Sequence, residues 1–217
     1  ILDASTPGAT PQWADKRAEV KEFVETKCYA AEDDMKGAAN EAEAKKIMKS
    51  LMDQAKAANL WALGHPKEIG GQGMPFMDYV YVNEVVGRSP LAMAGLGTHS
   101  LQDSIMLNLH ASDEWRDKYL EPLVAGEVFP AFAMTEPNIA SSDPTQIETS
   151  AVMDGNHWVI NGHKWFITHA KAADYITVMC RTDPDAPTHE QFTMIVVPKG
   201  TEGFEVVRDI KVMGDYH

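Results

Sequence analysis

Two short stretches of the sequence hold residue types that could do chemistry together. The first is Phe132-Ala133-Met134-Thr135-Glu136-Pro137-Asn138-Ile139-Ala140-Ser141-Ser142-Asp143. It begins as a strand pattern and ends in turn formers. Pro137 has no N–H to donate, so it ends strand pairing. Beyond it, Ser141, Ser142 and Asp143 can turn the backbone so that N–H groups and hydroxyls converge on an anion such as a diphosphate. The same serines could simply cap their own loop. The second stretch is Asn161-Gly162-His163-Lys164-Trp165-Phe166-Ile167-Thr168. At a strand period of two, Lys164, Phe166 and Thr168 share one face, and Trp165 and Ile167 the other. An aromatic ring beside a hydroxyl could pack a flat heterocycle and hydrogen-bond its edge. A strand with one face in a core would show the same pattern.

Other reactive residues form no such grouping. His99, His110, His157, His163, His169 and His189 lack ligand spacing, so no metal site is expected. Cys28 and Cys180 are the two cysteines, which excludes a disulfide framework and any Cys-x-x-Cys zinc site. Cys180 falls in an apolar run and reads as buried and inert. The charge balance is 19 basic against 32 acidic residues, a net −13. That disfavours nucleic acid, which needs clustered cations, and an anionic membrane surface. No apolar run approaches the roughly 18 residues of a transmembrane segment.

The 217 residues, 44% hydrophobic and 24% charged, suffice for one large domain or two small ones. From Gln12 to about Gly126 the apolar spacing is helical, through Trp13, Val20, Phe23, Val24 and Tyr29, then Ile47, Leu51, Met52 and Ala55. Helices are also expected from Pro75 to Val86, from about Leu91 to His110, and from an N-cap at Ser112 to about Gly126. After Gly126 the texture changes to short strands at 129–135, 148–153, 158–160, 163–168, 175–180, 192–197 and 204–207. Asp154-Gly155-Asn156 and Asn161-Gly162 are hairpin signals between them. The order predicts an α+β fold, an all-helical bundle over residues 1–127 followed by an antiparallel β-barrel or sandwich over 128–217.

Thr135-Glu136-Pro137, then Ser142-Asp143, then Lys164-Trp165-Phe166-Ile167-Thr168, resembles the acyl-CoA dehydrogenase family, as do Glu68-Ile69-Gly70-Gly71-Gln72-Gly73 and Asn83-Glu84-Val85-Val86-Gly87-Arg88. The resemblance is to the branch that includes the human members ten and eleven. It implies an FAD enzyme of three domains, helical, β and helical, of which this sequence is expected to carry the first two without the carboxy-terminal one, and without the last strands that would close the β domain. It further implies α,β-dehydrogenation of an acyl-CoA thioester in fatty acid β-oxidation. The α proton would go to a Glu outside this chain and the β hydride to flavin N5. By position, Phe132, Met134 and Thr135 would contact the flavin edge. Ser141 and Ser142 would lie toward the FAD diphosphate, with Ser142 also facing the acyl-CoA. Phe166 would take the place of the family's common Trp against the ring, keeping an apolar face without the indole donor. Ile167 would add backbone contacts and Thr168 would approach N5. No residue of this chain is expected to be the catalytic base; Glu136, beside Pro137, is given a role in its loop. Electron-transfer flavoprotein as acceptor, a homo-oligomer (dimer or tetramer), and the mitochondrial matrix or peroxisome are also implied. A non-catalytic structural subunit and an acyl-CoA oxidase are the alternatives.

Overall fold

The computed structural model describes residues 13–212, so Gln12 and residues 213–217 lie outside it. The chain separates into two compact units between Val128 and Phe129.

In the first unit, α1 (Lys16–Phe23) runs through a π-helical turn (Val24–Cys28) into α2 (Tyr29–Gly37). This brings Val20, Phe23, Val24 and Cys28 into the core. Next, α3 (Glu41–Ala57) starts with reciprocal capping: Asn40 Oδ1 accepts the Glu43 N–H at 3.0 Å, and Glu43 Oε2 accepts the Ala39 N–H at 2.8 Å. α4 (Phe76–Val86) packs against α1 through Tyr79, Val82, Val85 and Val86. The single helix expected from Leu91 to His110 is two: α5 (Ala92–Gly95) and α6 (Leu101–His110). Gly97, at φ +70°, breaks it. A Cβ there would come within 2.7 Å of the Trp61 ring. Trp61 is itself fixed, with Nε1 donating to the Val124 carbonyl at 2.9 Å. α7 (Asp113–Trp115) then continues through a π turn (Arg116–Leu120) into α8 (Glu121–Ala125). Ser112 occupies the N-cap position of α7, but its side chain makes no capping bond.

His65 lies between α3 and α4. Its side chain is 1% exposed, with Nε2 at 3.1 Å from Ser100 Oγ. Burial, helped by nearby His99, holds its pKa down at about 4.

In the second unit five strands form one mixed sheet, where the sequence suggested an antiparallel one. They are β1 (Pro130–Ala133), β2 (Ser150–Asp154), β3 (His157–Asn161), β4 (Tyr175–Arg181) and β5 (Phe192–Pro198). β2–β3 is the hairpin turned at Gly155, and β4–β5 is a second antiparallel pair. However, β1 lies parallel to β4, with Phe132 opposite Thr177, and β2 joins β4 in parallel at Ser150↔Arg181. Among the described residues, 163–168 and 204–207 form no strand. One apolar cluster joins Ala131, Ala133, Ala151 and Ala173 to Ile176, Val178, Cys180 and Val197, and Tyr175 and Ile147 are also fully buried in this unit.

Candidate functional site

The two stretches singled out by their chemistry meet directly after β1. The Trp165 N–H donates to the Thr135 carbonyl at 3.0 Å, and Thr135 Oγ1 donates to the Trp165 carbonyl at 2.7 Å. Lys164 Nζ donates to the Met134 carbonyl at 2.8 Å. The loop of residues 162–168 is thus laced to 134–135 by bonds unlike a strand ladder. The period-two expectation for its faces fails for a local reason: Phe166 has φ +53°. A bulky residue in the left-handed region is a genuine outlier. It turns the ring out, 51% exposed, at 4.8 Å and 59° from the Trp165 ring. Ile167 packs against the apolar core, and Thr168 beside it is exposed. The downstream flank closes in a turn, with the Ala170 N–H on the Ile167 carbonyl and the Ala173 N–H on the His169 carbonyl.

Beneath this face lies a buried ion pair. Glu136, 5% exposed, takes Lys164 Nζ at 2.9 Å and the backbone N–H groups of Glu148 and Thr149 at 2.9 and 2.8 Å. Burial alone would push its carboxyl up. The hydrogen bonds from Thr149, Glu148 and Lys164 outweigh that and bring it down to about 2. Burial lowers the Lys164 pKa, against the pull of Glu136. The nearby Cys180 thiol is buried and pushed up to about 11, which leaves it without thiolate character at neutral pH. A carboxylate so well satisfied is an anchor and a poor proton acceptor.

Ser141 is buried, and its hydroxyl serves its own loop: it accepts the Glu136 N–H at 2.5 Å and lies 3.3 Å from the Glu136 carbonyl. Ser142, the next residue, is exposed. Phe132 and Met134 are half-buried. Asp143 caps the short turn after it, accepting the N–H and the hydroxyl of Thr145 at 3.0 and 2.7 Å. Gly162 lies so close to Thr149 that a Cβ would fall 2.2 Å from its hydroxyl. A polar cleft of about 280 Å³ opens between residues 136–138, 148–150 and 161–163.

One organising residue escaped the sequence reading. The Arg181 guanidinium donates to the carbonyls of Ile147 and Thr145 at 3.1 and 3.0 Å and to Gln191, and stacks on the Phe192 ring at 4.8 Å. It ties the loop after Ser142 to β4. Nothing local in the sequence signals this, since its partners stand up to 36 residues away. Among the described residues no cluster of His, Cys, Asp or Glu could hold a metal ion, and no helix is long and apolar enough to cross a membrane.

Comparison with known proteins settles the ancestry of this arrangement. The acyl-CoA dehydrogenase N-terminal domain family matches residues 11–127, and the acyl-CoA dehydrogenase middle domain family matches residues 131–215. The chain belongs to the acyl-CoA dehydrogenase family. It is 31% identical to mouse acyl-CoA dehydrogenase family member 10 over 98% of its own length and 21% of that protein's. To human family member 11 it is 34% identical, over 77% of this chain and 22% of the relative. The solved acyl-CoA dehydrogenase of Geobacillus kaustophilus superposes with a TM-score of 0.70 at 28% identity, over 93% of this chain and 51% of that one. The chain thus spans about half the length of that enzyme and about a fifth of the mouse relative. Members of the family are flavin oxidoreductases.

Proposed function

We propose that the protein is an FAD-dependent acyl-CoA dehydrogenase and that the face formed by Phe132, Met134, Thr135, Phe166, Ile167 and Thr168 holds the flavin ring. The carrying observation is Phe166: an aromatic ring held half-exposed on a left-handed backbone, flanked by an exposed hydroxyl at Thr168. Strain of this kind persists where surrounding structure over-determines it, and it clusters at ligand sites. An exposed apolar plane with a donor at its edge fits an isoalloxazine, which is flat, apolar on its faces and polar along its rim. When bound, FAD supplies the two-electron acceptor for oxidising the α,β bond of the acyl chain.

This chain's own residues bind and orient. Phe166 covers one face of the ring, and the backbone of Met134 and Thr135 meets its rim. The Thr135 hydroxyl proton is committed to Trp165, so that side chain offers its remaining lone pair as acceptor. Thr168 offers an uncommitted hydroxyl at the reacting edge. Ser142 is the serine available to the diphosphate and to the acyl-CoA. Ser141, whose hydroxyl is bound to Glu136, shapes the loop around it. The α proton goes to a Glu carboxylate outside this sequence. Electron-transfer flavoprotein as acceptor, a homo-oligomeric state, and a matrix or peroxisomal location belong to the same proposal.

Anaerobic mixing of the full-length protein, loaded with FAD, with saturated acyl-CoA thioesters tests the reading. Bleaching of the flavin absorbance is expected, slowed more in Thr168→Val than its FAD affinity is weakened. Peroxide release in air, without an electron-carrier protein, would mark an oxidase. A full-length protein that takes up no FAD would mark a structural subunit.

A further inference from the structure

We infer that the buried Glu136–Lys164 pair is the positioning element of the Thr135–Phe166 face, an inference that rests on the functional reading above for the identity of the ligand. Three chain segments meet on one carboxylate. Glu136 belongs to the segment after β1, Glu148 and Thr149 to the segment before β2, and Lys164 to the loop after β3. The ammonium completes the junction by taking the Met134 carbonyl. One residue beyond Lys164, Trp165 is bound twice to Thr135, and one residue beyond that stands Phe166 in its left-handed conformation.

A buried ion pair is weak evidence for stability, because well-packed apolar residues often do as well. Its directional bonds are another matter. An apolar replacement would leave the buried Thr149 N–H, and the part-buried Glu148 N–H and Met134 carbonyl, without their side-chain partners. The upstream flank of Phe166 would then keep only the two Trp165–Thr135 bonds, which with the Ile167–Ala173 turn would be left to oppose relaxation of its φ angle. The pair's effect on a ligand passes through Met134, whose carbonyl Lys164 holds, and through Thr135, Trp165 and Phe166.

The test uses the full-length protein with Lys164→Met, Lys164→Arg and Ile176→Ala, the last removing core volume in β4 at a residue 4% exposed. Hydrogen exchange is measured without ligand, and FAD affinity by flavin fluorescence. Lys164→Met should raise exchange across residues 162–170 while the β4–β5 amides stay protected. It should also weaken FAD about tenfold or more, the scale of a lost charge-assisted bond. Lys164→Arg should restore both. Ile176→Ala should lower the melting temperature and move both far less than Lys164→Met does. Should Lys164→Met fail to fold, Lys164→Gln keeps a donor toward Met134 without the charge and should show the same pattern in milder form. Unchanged protection over 162–170 in the Met or Gln variant overturns the inference. So does an equal loss of FAD affinity in Ile176→Ala. The exchange result decides the positioning role alone; failure of the unsubstituted protein to bind FAD would instead overturn the functional reading.

Discussion

The helical unit is filled by long side chains, Leu51, Leu96, Leu107, Leu123 and Tyr79 among those buried, whereas the apolar cluster of the β unit is built on four alanines with Ile176, Val178, Cys180 and Val197. The β unit also buries Tyr175 and Ile147 fully, and to this packing it adds directed bonds: Glu136 with Lys164, and Arg181 with the carbonyls of Thr145 and Ile147. Packing of aliphatic groups is non-directional and tolerates substitution if volume is kept. Hydrogen-bonded charges fix one geometry and fail when a partner goes. The unit that shapes its loops with charges is the one carrying the candidate ligand face, as expected where backbone must be held in conformations it would not choose.

The contrast can be broken from the β side first. Glu136→Ala removes the partner of a buried ammonium and of two backbone N–H groups, and should cost about 3–5 kcal/mol. Denaturant unfolding followed in the β unit measures it, and a cost near zero would mean that water replaces the carboxylate. In the helical unit, Leu51→Ala leaves a cavity against Gly95 and should cost about 3 kcal/mol. Isoleucine at 51 should recover most of that, whereas no isosteric apolar change at Glu136 should do so.

Acid separates the units further. The depressed pKa of His65 gives stability that is full above its ordinary 6.5 and lost as pH falls toward about 4. Asp103, in the same unit, is pushed up to about 6 by burial. Its contribution has the opposite sense, full below 3.8 and lost as pH rises through about 6. The two largely offset, so the helical unit should lose only about 0.5 kcal/mol between roughly pH 7 and 5. Asp103→Asn should unmask His65 and enlarge that loss to about 2 kcal/mol over the same window. Urea midpoints at the two pH values measure it. The β unit should stay flat there. The stability held by Glu136 is present above its ordinary 4.5 and lost as pH falls toward about 2. The smallest effect is expected on the β2–β3 hairpin, where Val159 is exposed. Val159→Thr should stay within about 0.5 kcal/mol, and a larger loss would show that this surface is covered.

Residues that speak through their neighbours in sequence were readable. The apolar spacing of α1 and α3, the β-branched runs of β4 and β5, and the Gly155 turn all act locally. Features set by distant partners were not. The parallel pairing of β1 with β4 joins segments about 45 residues apart and has no turn to announce it. The break before α6 was hidden because apolar residues continue in helical phase from Leu91 to Leu109 across Gly97. Phe166 is the sharpest case. Its residue type was picked out for the right stretch, yet nothing local signals its left-handed backbone, and the loop that carries it is bound through Lys164 to Met134 and Glu136, 30 and 28 residues upstream. Ser141 and Ser142 were both expected toward the diphosphate, with Ser142 also facing the acyl-CoA, and the Glu136 N–H marks Ser141 as the one that serves the loop while Ser142 is left exposed.

The most direct test is titration of the ligand-free full-length protein with FAD, alongside its Phe166→Ala variant. Saturation at one FAD per chain, with affinity about tenfold lower once the ring is removed, is the predicted result. No uptake of FAD, or equal affinity in the two proteins, would contradict the assignment of this face.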